Sequence, residues 1–445
     1  MNSGALERYV PGRDGPFGFD EAAHLARRAG FSLAAEGVEE LARAGPDGAV
    51  ELLFRGDEGD EARALAAQAG LVCELDDLPK LQALWVARMA ATRAPALEKL
   101  ALFLHGHFAT SFEKVKRSAW MWQQYRLFRE QGAGPFRELL LAVSRDPAML
   151  VWLDSNSNER GRPNENYARE VMELFSLGVG HYGERDVQEA ARAFSGWHVK
   201  DGRFWFNPRA HDDGEKELLG RRGPLDGGDV VDLCVANRAC PRFLADKLLR
   251  FYVAPDPPEE WVEGFAAVLV QEELAIGPAL RRLFASRAFY AGAARVALVG
   301  SPIDFCVGTL RRLRGRARWR AVAEAAAAMG QALFAPPNVK GWDGDRAWIN
   351  SRTLLERARF ATGVAYGDGS LGAVVAWEGV VDGRDREDPA RLVAVLAHRL
   401  LQRPLPAETA ARLEQYAASE AAERGEARVR RVAHLILTAP EAQLT

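Results

Sequence analysis

Three short segments carry side chains whose types and spacing could do chemistry. "LFLHGHFATSFEKV" sets His105 and His107 two apart across a glycine. On an extended segment the two imidazoles share a face and can chelate one ion; on a regular helix they diverge by about 200°. "FNPRAHDDGEKELLG" adds His211 and Asp212 in a stretch rich in turn-formers. "RPNENYAREVMELFSLGVGHYGERDVQEAARAFSGW" supplies Asn164, Asn166, Arg169, Glu170 and Glu173. Five of the eight histidines (His105, His107, His181, His198 and His211) fall between positions 105 and 211, which argues that this region shares a site. Imidazole nitrogen and carboxylate oxygen suit zinc, manganese or iron, and a carboxylate left free can serve as general base. The expectation is a divalent metal held by His105, His107 and His211. Glu170 or Glu173 would act as ligand or general base, and Arg169 would clamp an anion. Asn164, Asn166 and Asp212 would bind substrate. So would Lys340 and Trp342 of "APPNVKGWDGDRAWINSRTLLERARF", where stiff, tight backbone presents aromatic faces beside polar groups, a surface that suits sugars.

Each motif also has a plainer reading. A lone histidine is more often a hydrogen-bonded core residue than a ligand. Arg169 and Glu173 at i,i+4 make an ordinary surface pair, and two tryptophans can simply anchor a turn.

The elements that must position these groups are read from periodicity. Tyr167, Ala168, Val171, Met172, Leu174 and Phe175 fall on one arc of a helix, and Asn166, Arg169, Glu170 and Glu173 on the other. Asn164 reads as the N-cap of that helix, Gly178 and Gly180 as its stop, and Asp186-x-x-Glu189 as the capping box of the next. "FDEAAHLARRAGF", residues 78–130, "RFLADKLLRFYVA" and "RWRAVAEAAAAMGQALF" are helical by the same test. Strand-like alternation is confined to "GRFWFNP". The fold class is therefore mainly α, a multi-helix globular fold with long functional loops and at most a short β-hairpin. Residues 1–365 form the main helical domain. The Gly-rich "AYGDGSLGAVVAWEGVVDGRDRED" sets off a small C-terminal helical unit, 366–445, packed on it.

Composition closes other classes. A net charge of −3 gives no general pull toward nucleic acid or membrane. "RRLRGRARWR", with six arginines in ten residues, is the one stretch that could meet a polyanion. Cys73, Cys234, Cys240 and Cys306 show no CxxC pair, so neither a disulfide scaffold nor a zinc finger is indicated. Cys234 and Cys240 are close enough to bridge but read as buried free thiols. The N-terminus has no basic segment followed by an apolar one, and no apolar run reaches membrane-spanning length, so the expected setting is cytoplasmic. P-loop, dinucleotide, GxSxG and HExxH motifs are missing.

Four blocks, taken in order, resemble one bacterial family. They are "LFLHGHFATSFEKV", "DPAMLVWLDSNSNERGRPNENYAREVMELFSLGVGHYGERDVQEAARAFSGW", "CPRFLADKLLRFYV" and "PPNVKGWDGDRAWINSRTLLERARF". The family is catalogued as domain of unknown function 1800, and the resemblance runs from about Phe19 to "LILTAPEAQ". Its signature residues map onto His105, His107, Asp154, Asn164, Glu165, Asn166, Arg169, Glu170, Glu173, Asp186, Glu189, Arg192, Trp197, His211, Asp212, Lys340, Gly341 and Trp342. Leu104 stands where the family usually has tryptophan, which alters the packing beside the histidine pair. The resemblance implies an exported setting, at odds with the N-terminus read above, and a sulfatase-like protein as partner. It implies no catalytic assignment. The leading expectation is thus a metal-dependent hydrolase-like enzyme acting on a polysaccharide or envelope-associated substrate. Its rival is a non-enzymatic binding or assembly protein working with the sulfatase-like partner.

Overall fold

The helix Pro95–His107 is buried at every position but Leu97 and Gly106, the signature of a helix enclosed by others. It starts at a proline, whose missing N–H the first turn does not need. Its Glu98 is fully buried and accepts from Trp85 Nε1 (2.8 Å), Tyr125 Oη (2.6 Å) and Arg129 Nε (3.1 Å). Arg88, from the helix Leu78–Ala91, donates to Tyr125 and Glu58 in the same network. A buried carboxylate is tolerated only with such partners, and these fix the rotation of three helices about one another.

A computed structural model describes residues 4–55, 57–367 and 369–445. Met1 to Ser3, on which part of the N-terminal reading rests, and Asp368 in the Gly-rich stretch lie outside the described residues. Helix makes up 63% of the structure, about twice the globular norm, so the chain is mainly α. The hairpin β1 (Trp197–Lys200) with β2 (Arg203–Phe206) falls where "GRFWFNP" signals it. A second, three-residue ladder joins β3 (Lys216–Leu218) to β4 (Arg221–Gly223). No helix among the described residues is long and apolar enough to cross a membrane.

The polar-arc helix begins at Asn166 with Glu165 as its N-cap, one residue later than its sequence suggests, and Asn164 Oδ1 accepts from the Asn166 N–H at 2.9 Å. From Val171 to Ser176 it widens into a π-helical turn, a feature often found near functional sites. The next helix starts at Glu184 rather than at Asp186. The Asp186 carboxylate instead reaches back to the Gly183 N–H (2.8 Å), so Asp186 is the third residue of the cap and not its first. At the far end, Asn350 caps Ser351–Tyr366, which packs along Gly425–Thr438.

The arginine-rich segment is divided between the interior and the surface. Arg311 turns inward and donates to the carbonyls of Ser32, Met89, Ala90 and Thr92, and Arg312 is enclosed beside Thr309. Arg314 pairs with Glu36 and Arg320 with Glu324. All four cysteines are free, and Cys234, Cys240 and Cys306 are buried.

Candidate functional site

Two helices meet through matching stripes. On Pro95–His107, positions 99, 103 and 107 lie one turn apart and present Lys99, Phe103 and His107. On Ala239–Tyr252 the same spacing presents Phe243 and Lys247, with Phe251 one turn on. The stripes touch ring to ring: Phe103 lies edge-on to Phe251 (5.2 Å between centroids) and His107 faces Phe243 at 6.2 Å. Beside this seam lies a cleft of about 350 Å³, within the usual range for a small-molecule site. The start of the helix Pro302–Leu313 and the loop carrying Lys340, Trp342, Asp343 and Asp345 close its other side.

That loop is held by a backbone contact. Gly341 has φ +81°, and a Cβ there would lie 2.3 Å from the Gly106 carbonyl oxygen. Only glycine permits both the dihedral and the approach. A Cβ on Gly106 would in turn lie 3.7 Å from the Trp342 ring. The glycine between the two histidines and the glycine before Trp342 are therefore halves of one packing unit, which is why the two motifs belong together.

The histidines do not form a chelate. His105 and His107 occupy the last turn of a helix, not an extended segment, so their rings diverge. His105 Nε2 accepts from the Phe334 N–H (3.0 Å), and its ring is wedged among Trp85, Phe334 and Trp342. Burial holds its pKa down at about 3, so it stays neutral. His107 Nε2 donates to the Phe175 carbonyl (3.0 Å) and so closes the end of the π-helical turn; Nδ1 has no partner among the described residues. His211 sits elsewhere. Its Nδ1 donates to the Ser195 carbonyl at 2.9 Å and its ring meets Phe206. Among the described residues no group of three or more His, Cys, Asp or Glu is placed to hold a metal ion. The expected His105–His107–His211 ligand set for zinc, manganese or iron does not fit this geometry, because each ring is committed to a different backbone group.

Asp212 belongs with His211 in a separate polar cluster. Arg192 holds it with Nε and Nη2 (2.8 and 3.2 Å), and this pairing keeps its pKa near 2 despite partial burial. Lys216 donates to its carbonyl. Asn164 binds Ser157 Oγ, and Asn166 binds Asp154. Arg169, expected as an anion clamp, is already occupied by Glu165 (3.1 Å) and Glu184 (2.6 Å). Glu173 accepts from Tyr182 Oη at 2.8 Å. Glu170 is half-buried, and burial and then Glu173 raise its pKa, against the pull of Arg169 and Lys340. Lys340 therefore joins the two regions: it lines the cleft and reaches the field of Glu170. Of the expected residues, His107, Lys340 and Trp342 line the cleft, Glu170 borders it through Lys340, and Asp212 and His211 stand apart.

Charge in the cleft is unevenly satisfied. Lys99 is buried and ion-paired with Asp304; burial still lowers its pKa, the partner opposing. Arg250 is held by Asp246 (2.9 Å) and Asp256. Arg28 donates to the carbonyls of Val253 and Ala294. Lys247 has no hydrogen bond or ion-pair contact among the described residues. Its Nζ lies 5.2 Å from the Phe243 ring centroid, and burial lowers its pKa to about 8. Sequence reading passed over Lys247 as one more lysine on an amphipathic helix. The signal was there in "FLADKLLRF": a lysine with aromatics one turn before and one turn after, on the face that should be apolar.

No curated protein and no solved structure matches the chain. A family model described as "Protein of unknown function (DUF1800)" matches residues 24–444, nearly the whole chain. It spans the histidine helix, the polar arc, the lysine helix and the Lys340–Trp342 loop alike, and on that match the chain belongs to the DUF1800 family.

Proposed function

We propose that the cleft binds a small hydroxylated anion of the sugar-acid class. The observation that carries this reading is Lys247, a partly buried cation beside the Phe243 ring with no carboxylate in contact among the described residues. An ammonium left without a partner in such a place is stabilised when an anionic ligand enters. Lys340 supplies a second cation at the same cleft, Trp342 an apolar face of sugar-ring size, and Asp343 an acceptor for hydroxyls. The reading needs no turnover, so it also covers the non-enzymatic binding alternative.

Calorimetric titration tests it. Glucuronate should bind, and glucose, which lacks the charge, should bind at least about tenfold more weakly. Lys247→Met and Lys340→Gln should each weaken glucuronate and leave glucose nearly unchanged. Equal affinities for glucuronate and glucose would sink the proposal.

One observation favours a hydrolytic extension of this reading. Glu170 is half-buried, and burial and then Glu173 raise the pKa of its carboxyl, as a proton donor to a leaving group requires. Release of nitrophenol from a nitrophenyl glucuronide would reveal it. Glu170→Gln should then cut the rate by about 100-fold, and an unchanged rate would remove Glu170 from the chemistry.

A further inference from the structure

We infer that Lys247 is a carbonyl-reactive amine, which condenses reversibly with an aldehyde or ketone that also bears an acidic group and holds it in the cleft as an imine. The inference rests on the anion-binding reading above and goes beyond it by naming a covalent partner.

The geometry singles out this one amine. The other cations of the cleft are engaged: Lys99 by Asp304, Arg250 by Asp246 and Asp256, Arg28 by backbone carbonyls, and Arg27 by the carbonyls of Leu401 and Gln402. Lys340 has no ion pair among the described residues but is exposed. Among the described residues Lys247 alone combines partial burial, access to the cleft and freedom from a carboxylate contact. The charged or titratable groups near it are Asp246 on its own helix and His107 on the facing one. Burial of the ammonium favours the neutral amine, the form that attacks a carbonyl. Lys340 remains available to pair with the ligand's acidic group.

The step balances without a further reactant. The ammonium first sheds a proton to solvent through the mouth of the cleft. The Nζ lone pair forms a bond to the carbonyl carbon, and the π pair moves to oxygen, which takes a proton from the attacking nitrogen. Loss of that oxygen as water leaves the C=N bond, and addition of water reverses it.

The test uses glyoxylate as the probe, with sodium cyanoborohydride to reduce any imine to a stable secondary amine, followed by peptide mass mapping of the intact chain. At neutral pH Lys247 should label on the order of 100-fold faster than the exposed Lys80 and Lys116, because far more of it is unprotonated. Gluconate, a sugar acid of glucuronate's size with no aldehyde or ketone, should protect Lys247 and leave Lys80 unprotected. Lys247→Arg removes the primary amine and should lose the fast-labelling site, its unfolding midpoint showing that it is folded. Labelling of Lys247 no faster than Lys80, with glucuronate still bound, overturns the imine and leaves the binding reading standing. Failure of both labelling and glucuronate binding overturns the two together.

Discussion

The cleft and the polar hairpin beside it are built from the same residue types and use them in opposite ways. Between Asn164 and Arg192 most charges have a partner nearby in the chain, in these pairs at most 20 positions off: Arg169 with Glu165 and Glu184, Glu173 with Tyr182, Arg192 with Glu189 and Asp212. Most of these groups keep contact with water. Around the cleft the charges come from segments far apart in the chain and lie deeper. Lys99 meets Asp304 across 205 positions, and Lys247 meets no carboxylate at all. Locally closed charge networks stabilise a hairpin. Charge left open among aromatic rings is what a binding site keeps.

The largest effect should come from the buried pair. Asp304→Asn leaves Lys99 as an uncompensated buried cation and weakens the cap in which the Asp304 carboxylate receives Ser301 Oγ (2.9 Å). The expected loss is about 3–5 kcal/mol in urea unfolding. A loss below about 1 kcal/mol would mean that the cleft is wetter than described and would erase the contrast with the hairpin.

Gly341→Ala comes next, at about 2–4 kcal/mol, since it combines a positive φ with a backbone clash at Gly106. Glucuronate binding should fall with it, because Trp342 and Lys340 ride on that loop. A variant that unfolds normally yet binds nothing would show that the loop serves the ligand more than the fold.

Acid separates the regions in a third way. His24, His105 and His107 are all buried with lowered pKa, and burial is the leading cause for each. His105 is neutral in the folded chain down to about pH 3, whereas in the unfolded chain it takes a proton near its usual 6.5. Between those values the unfolded state binds more protons. The contribution of His105 is therefore complete above about pH 6.5 and falls by about 1.4 kcal/mol for each pH unit below it. His105→Gln, whose amide oxygen can still accept from Phe334, should lose about 1.4 kcal/mol less than the wild-type chain between pH 7.5 and 5.5. Identical losses would mean that His105 takes up its proton in the folded chain as readily as in the unfolded one and is not sealed in the core.

The fold class, the polar-arc helix and the hairpin at "GRFWFNP" were legible because each follows from local periodicity or alternation, whereas the cap read at Asn164 falls at Glu165. The site was legible only in part. "HGH" and "KGW" stood out by residue type, and four of the cleft's lining residues, Gly106, His107, Lys340 and Trp342, come from them. What spacing could not reveal is that the first motif is helical, so that the histidines part company and His105 becomes a core acceptor. Nor could it reveal that Gly106 and Gly341 interlock, since that contact depends on tertiary approach. Lys247 was hidden for a different reason. It looks ordinary until its helix face is known to be half-buried against another helix, and burial is a property of the neighbour.

The smallest effect belongs to the residue that stood out most as an anion clamp. Arg169 is about one-third exposed and shared between Glu165 and Glu184. Those hydrogen bonds raise its pKa, the Glu184 bond most, but water screens much of what they contribute. Arg169→Ala should therefore cost no more than about 1 kcal/mol and leave glucuronate affinity within about twofold of wild type. Lys340→Gln, a similar loss of one positive charge, should affect binding far more and stability hardly at all, because Lys340 has no ion-pair partner to lose among the described residues. The two variants together pose the comparison as a crossed experiment. If Arg169→Ala instead abolished binding, the ligand would have to lie over the polar arc, with Glu165 and Glu184 releasing the arginine to meet it. The cleft would then be its neighbour and not its site.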